Sequence, residues 1–167
     1  SCWVKMDKSN LSTFTSYSAL GVRSAAFQNG SPIRILTNQT KQAFVAIQGQ
    51  GGTTQSTTDL SDGNWHSVIL TSVYDSGGTI QNVFINGLPE ISNKLLISYA
   101  PLTGSLYIGV RDEFLAQYYN GQLDEVSIWN TALSQSAITE IYNSGAPNDL
   151  TTLTNASNTN LKAWYKF

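Results

Sequence analysis

The chain has 167 residues, which is room for one domain of ordinary size around a single core. Only 12% of the residues are charged, whereas 61 are Ser, Thr, Asn or Gln, and the formal net charge is −2. The nine Lys and Arg residues are spread thinly, so the composition excludes a basic surface for nucleic acid or acidic lipid. No apolar run is long enough for a membrane span, and the single cysteine, Cys2, cannot form an internal disulfide.

Strand patterns separated by turn signals recur along the chain, which is typical of a β-sandwich rather than of alternating strands and helices. The clearest pair is 65–74 with 79–86, and Asn86-Gly87 is the strongest hairpin signal. The predicted strands are residues 1–6, 14–22, 23–27, 32–37, 41–48, 53–58, 65–74, 79–86, 88–92, 95–99, 105–110, 122–130 and 161–167.

The stretch 122–130 shows the cleanest alternation. Its two predicted faces are Leu123, Glu125, Ser127 and Trp129 on one side, and Asp124, Val126 and Ile128 on the other. One short helix follows near residues 134–144, because Ser134 can cap it and Gly145 ends it. Both ends of the chain carry strand patterns, so we expect it to be a segment of a longer polypeptide.

Three stretches resemble a known family when they are taken together. They are DGNWHSVIL at 62–70, VFING at 83–87, and LYIGVRDEF followed by YYNGQLDEVSIWNTALSQSAITEIY within 106–142. This order resembles the laminin-G-like, concanavalin-A-like lectin and glucanase jelly rolls, including the pentraxins. The resemblance implies an all-β fold, with two antiparallel sheets packed face to face in one domain over 1–167. It also implies that the family's first strand precedes residue 1.

The adjacent carboxylates Asp124 and Glu125 point to opposite faces of a regular strand, so they cannot form one acid–base pair. Glucanases of this fold need two carboxylates on one face, and no such spacing occurs here. We therefore predict no catalytic residues and no enzymatic activity, with Asp124 accepting backbone amides. His66 is the only histidine, and we predict that it hydrogen-bonds a neighbouring strand.

The loop from Arg111 to Asn120 has the highest density of candidate ligand-binding side chains in the chain. Asp112, Glu113 and Gln117 offer the oxygen ligands that hard cations prefer. Likeness to the pentraxins implies a Ca²⁺ site here, because their loop places a Gln four residues before the next strand's Gly. Arg111 stands where an acidic ligand is expected, so the alternative is a solvated loop with an Arg–carboxylate pair. Both alternatives remain open.

Aromatic residues in the same loop suggest ligand contact. Tyr119 matches a family position that packs inward, which leaves Tyr118 as the exposed ring for a sugar face. The predicted ligand-binding residues are Tyr118, Gln117 and Arg111.

The sequence favours a non-catalytic, lectin-like binding or adhesion module of a larger extracellular or virion-surface protein, recognising glycan or protein. The alternative is a purely structural decoration or fibre domain of a phage or virus particle, acting through contacts with other domains of its assembly.

Overall fold

A computed structural model describes residues 1–23, 33–49, 52–75, 78–96, 105–111 and 117–167. Within these ranges the strands are β1 (Cys2–Asp7), β2 (Ser16–Arg23), β3 (Ile33–Thr37), β4 (Ala43–Gly49), β5 (Gly52–Gln55), β6 (Asp62–Asp75), β7 (Gly78–Ile85), β8 (Leu88–Leu96), β9 (Ser105–Ile108), β10 (Gln122–Asp124), β11 (Val126–Trp129) and β12 (Leu161–Tyr165). The helix α1 spans Gln135–Tyr142. No helix among the described residues is long and apolar enough to cross a membrane.

Two five-stranded antiparallel sheets form the sandwich. The first has the order β10-β1-β6-β7-β8, and the second has the order β5-β4-β3-β2-β9. Alternate residues of both sheets meet in one buried cluster, where Val4 and Val68 of the first sheet join Ile35 and Val45 of the second. Cys2 belongs to this cluster, and burial raises the pKa of its thiol to about 11. The predicted two-sheet β-sandwich is therefore confirmed.

A third layer covers the outer face of the first sheet. Helix α1 and the β11–β12 pair pack there around a second cluster, whose fully buried members are Ile69, Ile138, Ile141 and Leu150. Trp3 alternates with the inward-facing Val4 and stacks on Tyr142 of the helix, with ring centroids 6.1 Å apart. The predicted cap is confirmed, because Ser134 Oγ accepts a hydrogen bond from the Ala137 N–H at 3.2 Å.

The prediction of one continuous strand over 122–130 was wrong. Glu125 adopts a left-handed backbone conformation with φ of 51°, which ends β10 and redirects the chain into β11. Strand β10 then pairs with β1 of the first sheet, whereas β11 pairs with β12 in the outer layer. Because the regular alternation stops at Glu125, the predicted division of 122–130 into two faces does not hold.

Several other strand boundaries also differ from the prediction, among them the end of β5 at Gln55 and the start of β6 at Asp62. Strand β2 begins at Ser16 rather than at Phe14, because Phe14 lies in a turn with φ of 50°. Leu95 and Leu96 continue β8 instead of opening a new strand. The remainder of that predicted strand, and most of the one predicted at 23–27, lie outside the described residues.

Candidate functional site

The loop that carries the predicted site crosses from β9 of the second sheet to β10 of the first, at one edge of the sandwich. Its described ends are fixed to β2 and to each other by backbone hydrogen bonds. Gly109 N–H donates to the Ala19 carbonyl at 2.9 Å, and Ser18 N–H donates to the Gln117 carbonyl at 3.1 Å. Tyr119 N–H closes the base of the loop by donating to the Gly109 carbonyl at 2.7 Å. The framework therefore holds both ends of the loop.

Two glycines make this close packing of the loop ends possible. A Cβ on Gly21 of β2 would lie 2.0 Å from the Arg111 carbonyl oxygen, and a Cβ on Gly121 would lie 2.3 Å from the Lys5 carbonyl oxygen. Both contacts are with backbone atoms, which cannot rotate away. Absence of a side chain at these two positions is thus what lets the loop ends approach β2 and β1.

The two adjacent tyrosines of the loop point in opposite directions. Tyr119 packs against the main core, and its hydroxyl donates to the Lys5 carbonyl at 3.4 Å. Burial is the main cause that raises the pKa of Tyr119 above its ordinary range. Tyr118 is 57% exposed. The predicted orientations match the structure, and the binding role of Tyr118 stays a prediction.

Of the other predicted site residues, Gln117 and Arg111 are half-buried at the two ends of the loop. Gln117 has a left-handed φ of 57° and is joined directly to Tyr118. Asp112 and Glu113 lie outside the described residues, so the Ca²⁺ site remains a prediction. Across the described ranges, no group of three or more His, Cys, Asp and Glu side chains could hold a metal.

A second exposed aromatic residue lies in a segment that is hydrogen-bonded to this loop on both sides of it, and sequence reasoning did not single it out. Phe14 is 77% exposed in the turn before β2. The two segments are linked because Asn120 Nδ2 donates to the Asn10 carbonyl at 2.6 Å, while Ser18 bonds Gln117 as described above. An isolated Phe between Thr13 and Thr15 in a strand-like pattern carries no local signal for an exposed position.

The carboxylates that the structure describes are hydrogen-bonded within the chain. Each of the eight whose side chains the structure describes accepts at least one hydrogen bond from a group of this protein, and these are Asp7, Asp59, Asp62, Glu90, Asp124, Glu125, Glu140 and Asp149. Asp124 accepts from the N–H groups of Glu125 and Phe167 at 2.8 and 3.0 Å, which confirms its predicted role. Glu125 accepts from the Trp164 indole N–H.

Six of these carboxylates have a pKa below the ordinary value, and they are Asp7, Asp59, Asp62, Glu90, Glu140 and Asp149. Burial opposes ionisation of Asp62, but hydrogen bonds from His66 and Asn64 outweigh it and lower its pKa to about 2. A general acid in glycoside hydrolysis needs a raised pKa instead. These six groups are therefore poorly suited to donate a proton near neutral pH.

His66 is buried, and its hydrogen bonds join the start of β6 to the β7–β8 hairpin. Its Nε2 is 2.9 Å from Asp62 Oδ1, and its Nδ1 is 3.0 Å from Asn86 Nδ2. Asn86 Oδ1 accepts from the Ser67 N–H, so its amide nitrogen must face the imidazole. The ring then carries its proton on Nε2 and donates it to Asp62. His66 is hydrogen-bonded as a structural histidine, as predicted, but its partner Asn86 lies in the turn between β7 and β8 rather than in a strand.

Comparison with solved structures finds similar folds in larger proteins. A Bacteroides ovatus ATCC 8483 protein, described as a candidate carbohydrate-binding protein, matches with a TM-score of 0.63 and 16% identity over 99% of this chain and 43% of its own. The enzymatically active domain of bacteriophage CBA120 tailspike protein 2 matches with a TM-score of 0.59 and 14% identity over 99% of this chain and 26% of its own. The chain thus spans less than half the length of either protein.

No curated protein sequence matches the chain significantly. A laminin-G-like family model, described as the concanavalin A-like lectin/glucanases superfamily, matches residues 1–139. This match covers most of the chain and includes both sheets and the loop between β9 and β10. The chain belongs to the concanavalin A-like lectin/glucanases superfamily.

Proposed function

We propose that this domain is a non-catalytic, lectin-like recognition module that binds glycan through the edge of the sandwich formed by the β9–β10 loop. The observation that carries the proposal is the exposed ring of Tyr118, held on a loop whose two ends are bonded to the framework. An aromatic face of this kind packs against sugar C–H groups, and a fixed position lowers the entropy lost on binding.

Absence of a catalytic role is part of the proposal. It is supported by the intramolecular hydrogen bonds at all eight described carboxylates and by the lowered pKa values of six of them. The fold of the family also supports glycan binding, since one neighbour in structure is described as a candidate carbohydrate-binding protein. We place the domain in a larger extracellular or virion-surface protein, in which it would contact other domains.

A glycan-binding screen of the wild-type domain and Tyr118→Ala, each with calcium and with a chelator, tests the proposal. We expect the wild type to bind at least one glycan and Tyr118→Ala to bind it more weakly, with an unchanged melting temperature because the ring is exposed. Equal binding by the two proteins, or no binding by the wild type, would contradict the proposal. Binding that requires calcium and is weakened in Gln117→Ala would support the predicted Ca²⁺ site.

The alternative function is a structural domain of a phage or virus particle that acts by protein–protein contact. Exposed apolar residues outside the β9–β10 loop favour it, because Trp65 is 40% exposed and Leu88 is 67% exposed. The two residues lie near the same end of the first sheet, where His66 is bonded to Asn86. Loss of particle assembly in a Trp65→Ala, Leu88→Ala double variant, with glycan binding unchanged, would favour this alternative.

A further inference from the structure

We propose that Phe14 is a second contact residue of the same binding surface and that the ligand of this surface is a neutral oligosaccharide chain. The inference rests on the proposed function and extends it from one aromatic residue to a pair. We call Phe14 and Tyr118 together the aromatic rim.

The first observation is the conformation of Phe14. Its φ of 50° lies in the left-handed region, which bulky L-residues rarely adopt, and its side chain is 77% exposed. A glycine or asparagine would suit the backbone better, and a polar side chain would suit the exposure better. Packing in the described structure therefore does not account for a phenylalanine here, whereas contact with a ligand does.

The second observation is that the turn holding Phe14 is rigidly placed. Thr37 Oγ1 accepts from the Thr15 N–H at 2.9 Å and donates to the Ser12 carbonyl at 2.7 Å. Ser12, which precedes Phe14 by two residues, also donates its N–H to the Tyr17 hydroxyl at 2.9 Å. The turn is thus tied to β2 and β3, and the ring is presented from a fixed backbone.

The third observation is the proximity of the two aromatic segments. The bonds from Asn120 to Asn10 and from Ser18 to Gln117 bring the turn before β2 and the β9–β10 loop to the same edge. Both rings are exposed, so neither fills a pocket of the other. Two aromatic faces on neighbouring fixed segments can contact successive parts of one extended ligand.

Charge among the described residues of this edge favours an uncharged ligand. The described exposed residues around the aromatic rim are neutral amides and hydroxyls, namely Ser9, Asn10, Ser12, Thr13 and Asn120. Arg111 is the one charged residue among the described residues of the β9–β10 loop, and it is half-buried; Asp112 and Glu113 lie outside the described residues. Asp7 and Lys8 precede them and carry opposite charges, so they offer no net attraction to an ion. Aromatic faces among amide and hydroxyl groups match the C–H and O–H groups of a neutral sugar.

The test is affinity electrophoresis in gels that contain laminarin, galactomannan, xyloglucan or dextran, with alginate and polygalacturonate as acidic probes. We expect a neutral polysaccharide to retard the wild type, Phe14→Ala to lower its affinity about five-fold, and Phe14→Tyr to retain it. Phe14→Gly should be at least as stable as the wild type, and it should bind the polysaccharide more weakly than the wild type, as Phe14→Ala does. Tyr74→Ala is the matched control, because Tyr74 is 66% exposed at the far end of β6.

Three results would overturn the inference. If Tyr118→Ala weakens binding and Phe14→Ala does not, the site proposed above stands and the contribution of Phe14 is refuted. Binding of the acidic probes alone would refute a neutral ligand. Failure of the wild type to bind any polysaccharide would refute the proposed glycan function and this inference together.

Discussion

Substitution of Gly21 by alanine should destabilise the fold and displace the β9–β10 loop. The added Cβ would lie 2.0 Å from the Arg111 carbonyl oxygen and 2.5 Å from the Val110 carbonyl oxygen. Ordinary contacts of a Cβ begin near 3.4 Å, so one backbone segment must move by more than 1 Å. Overpacking of this kind costs about 1–3 kcal/mol, and we expect the upper end because no side chain can yield.

The same movement disturbs the pairing of Gly21 with Tyr107 and of Leu20 with Ile108, which holds β9 at the edge of the second sheet. Since the β9–β10 loop begins there, glycan binding at Tyr118 should weaken together with stability. Urea unfolding followed by tryptophan fluorescence gives the change in free energy from the midpoint and the slope.

Gly63→Ala is the matched control for this prediction. Gly63 has a φ of 82°, and no atom lies within 4 Å of the position that a Cβ would occupy, so alanine there meets backbone strain without a clash. We expect a loss of about 1 kcal/mol and unchanged binding. A Gly21→Ala protein that is as stable as the wild type, or no less stable than Gly63→Ala, would refute the role given to the close approach at Arg111.

Two further predictions concern contacts away from the aromatic rim. Asn86→Ala should lower the free energy of unfolding by about 2–4 kcal/mol more than Asn93→Ala. Both residues have φ of 53°, but only Asn86 bonds the buried His66 and Ser67. Equal urea midpoints for the two variants would contradict this prediction. Glu140 accepts backbone and side-chain hydrogen bonds from Thr154 and Asn155, which lower its pKa from 4.5 to about 2. Because the folded-state pKa is depressed, its stabilisation is present above pH 4.5 and is lost as the pH falls through about 2. Urea midpoints between pH 6 and pH 2 should therefore fall more steeply for the wild type than for Glu140→Gln, and parallel curves would contradict the assignment.

Local patterns were sufficient for the class of fold and for several individual residues. Alternation in β1 and the Asn86-Gly87 turn depend on neighbours in sequence, so they could be identified without the partner strands. The same holds for the Ser134 cap, whose acceptor and donor are three residues apart. Likeness to the family added the opposite orientations of Tyr118 and Tyr119, which match the observed exposure.

Contacts distant in sequence decided what these patterns missed. Glutamate rarely adopts positive φ, so nothing local indicated that Glu125 ends one strand and begins another. The pairing of Trp3 with Asp124 and the hydrogen bond from Trp164 to Glu125 join segments far apart in the chain, and they place β10 and β11 in different layers.

The sequence by itself determined a β-sandwich and its short helix, because periodicity and capping report burial along one segment. Its resemblance to the family implied the superfamily and the exposed Tyr118. Only the tertiary structure showed that the segments on both sides of Phe14 are hydrogen-bonded to the loop with Tyr118. The two residues are about a hundred positions apart, and they share an edge because Ser18 of β2, shortly after Phe14, bonds Gln117, the neighbour of Tyr118. A binding surface made from two loops depends on such pairing between distant segments, which no single stretch of sequence encodes.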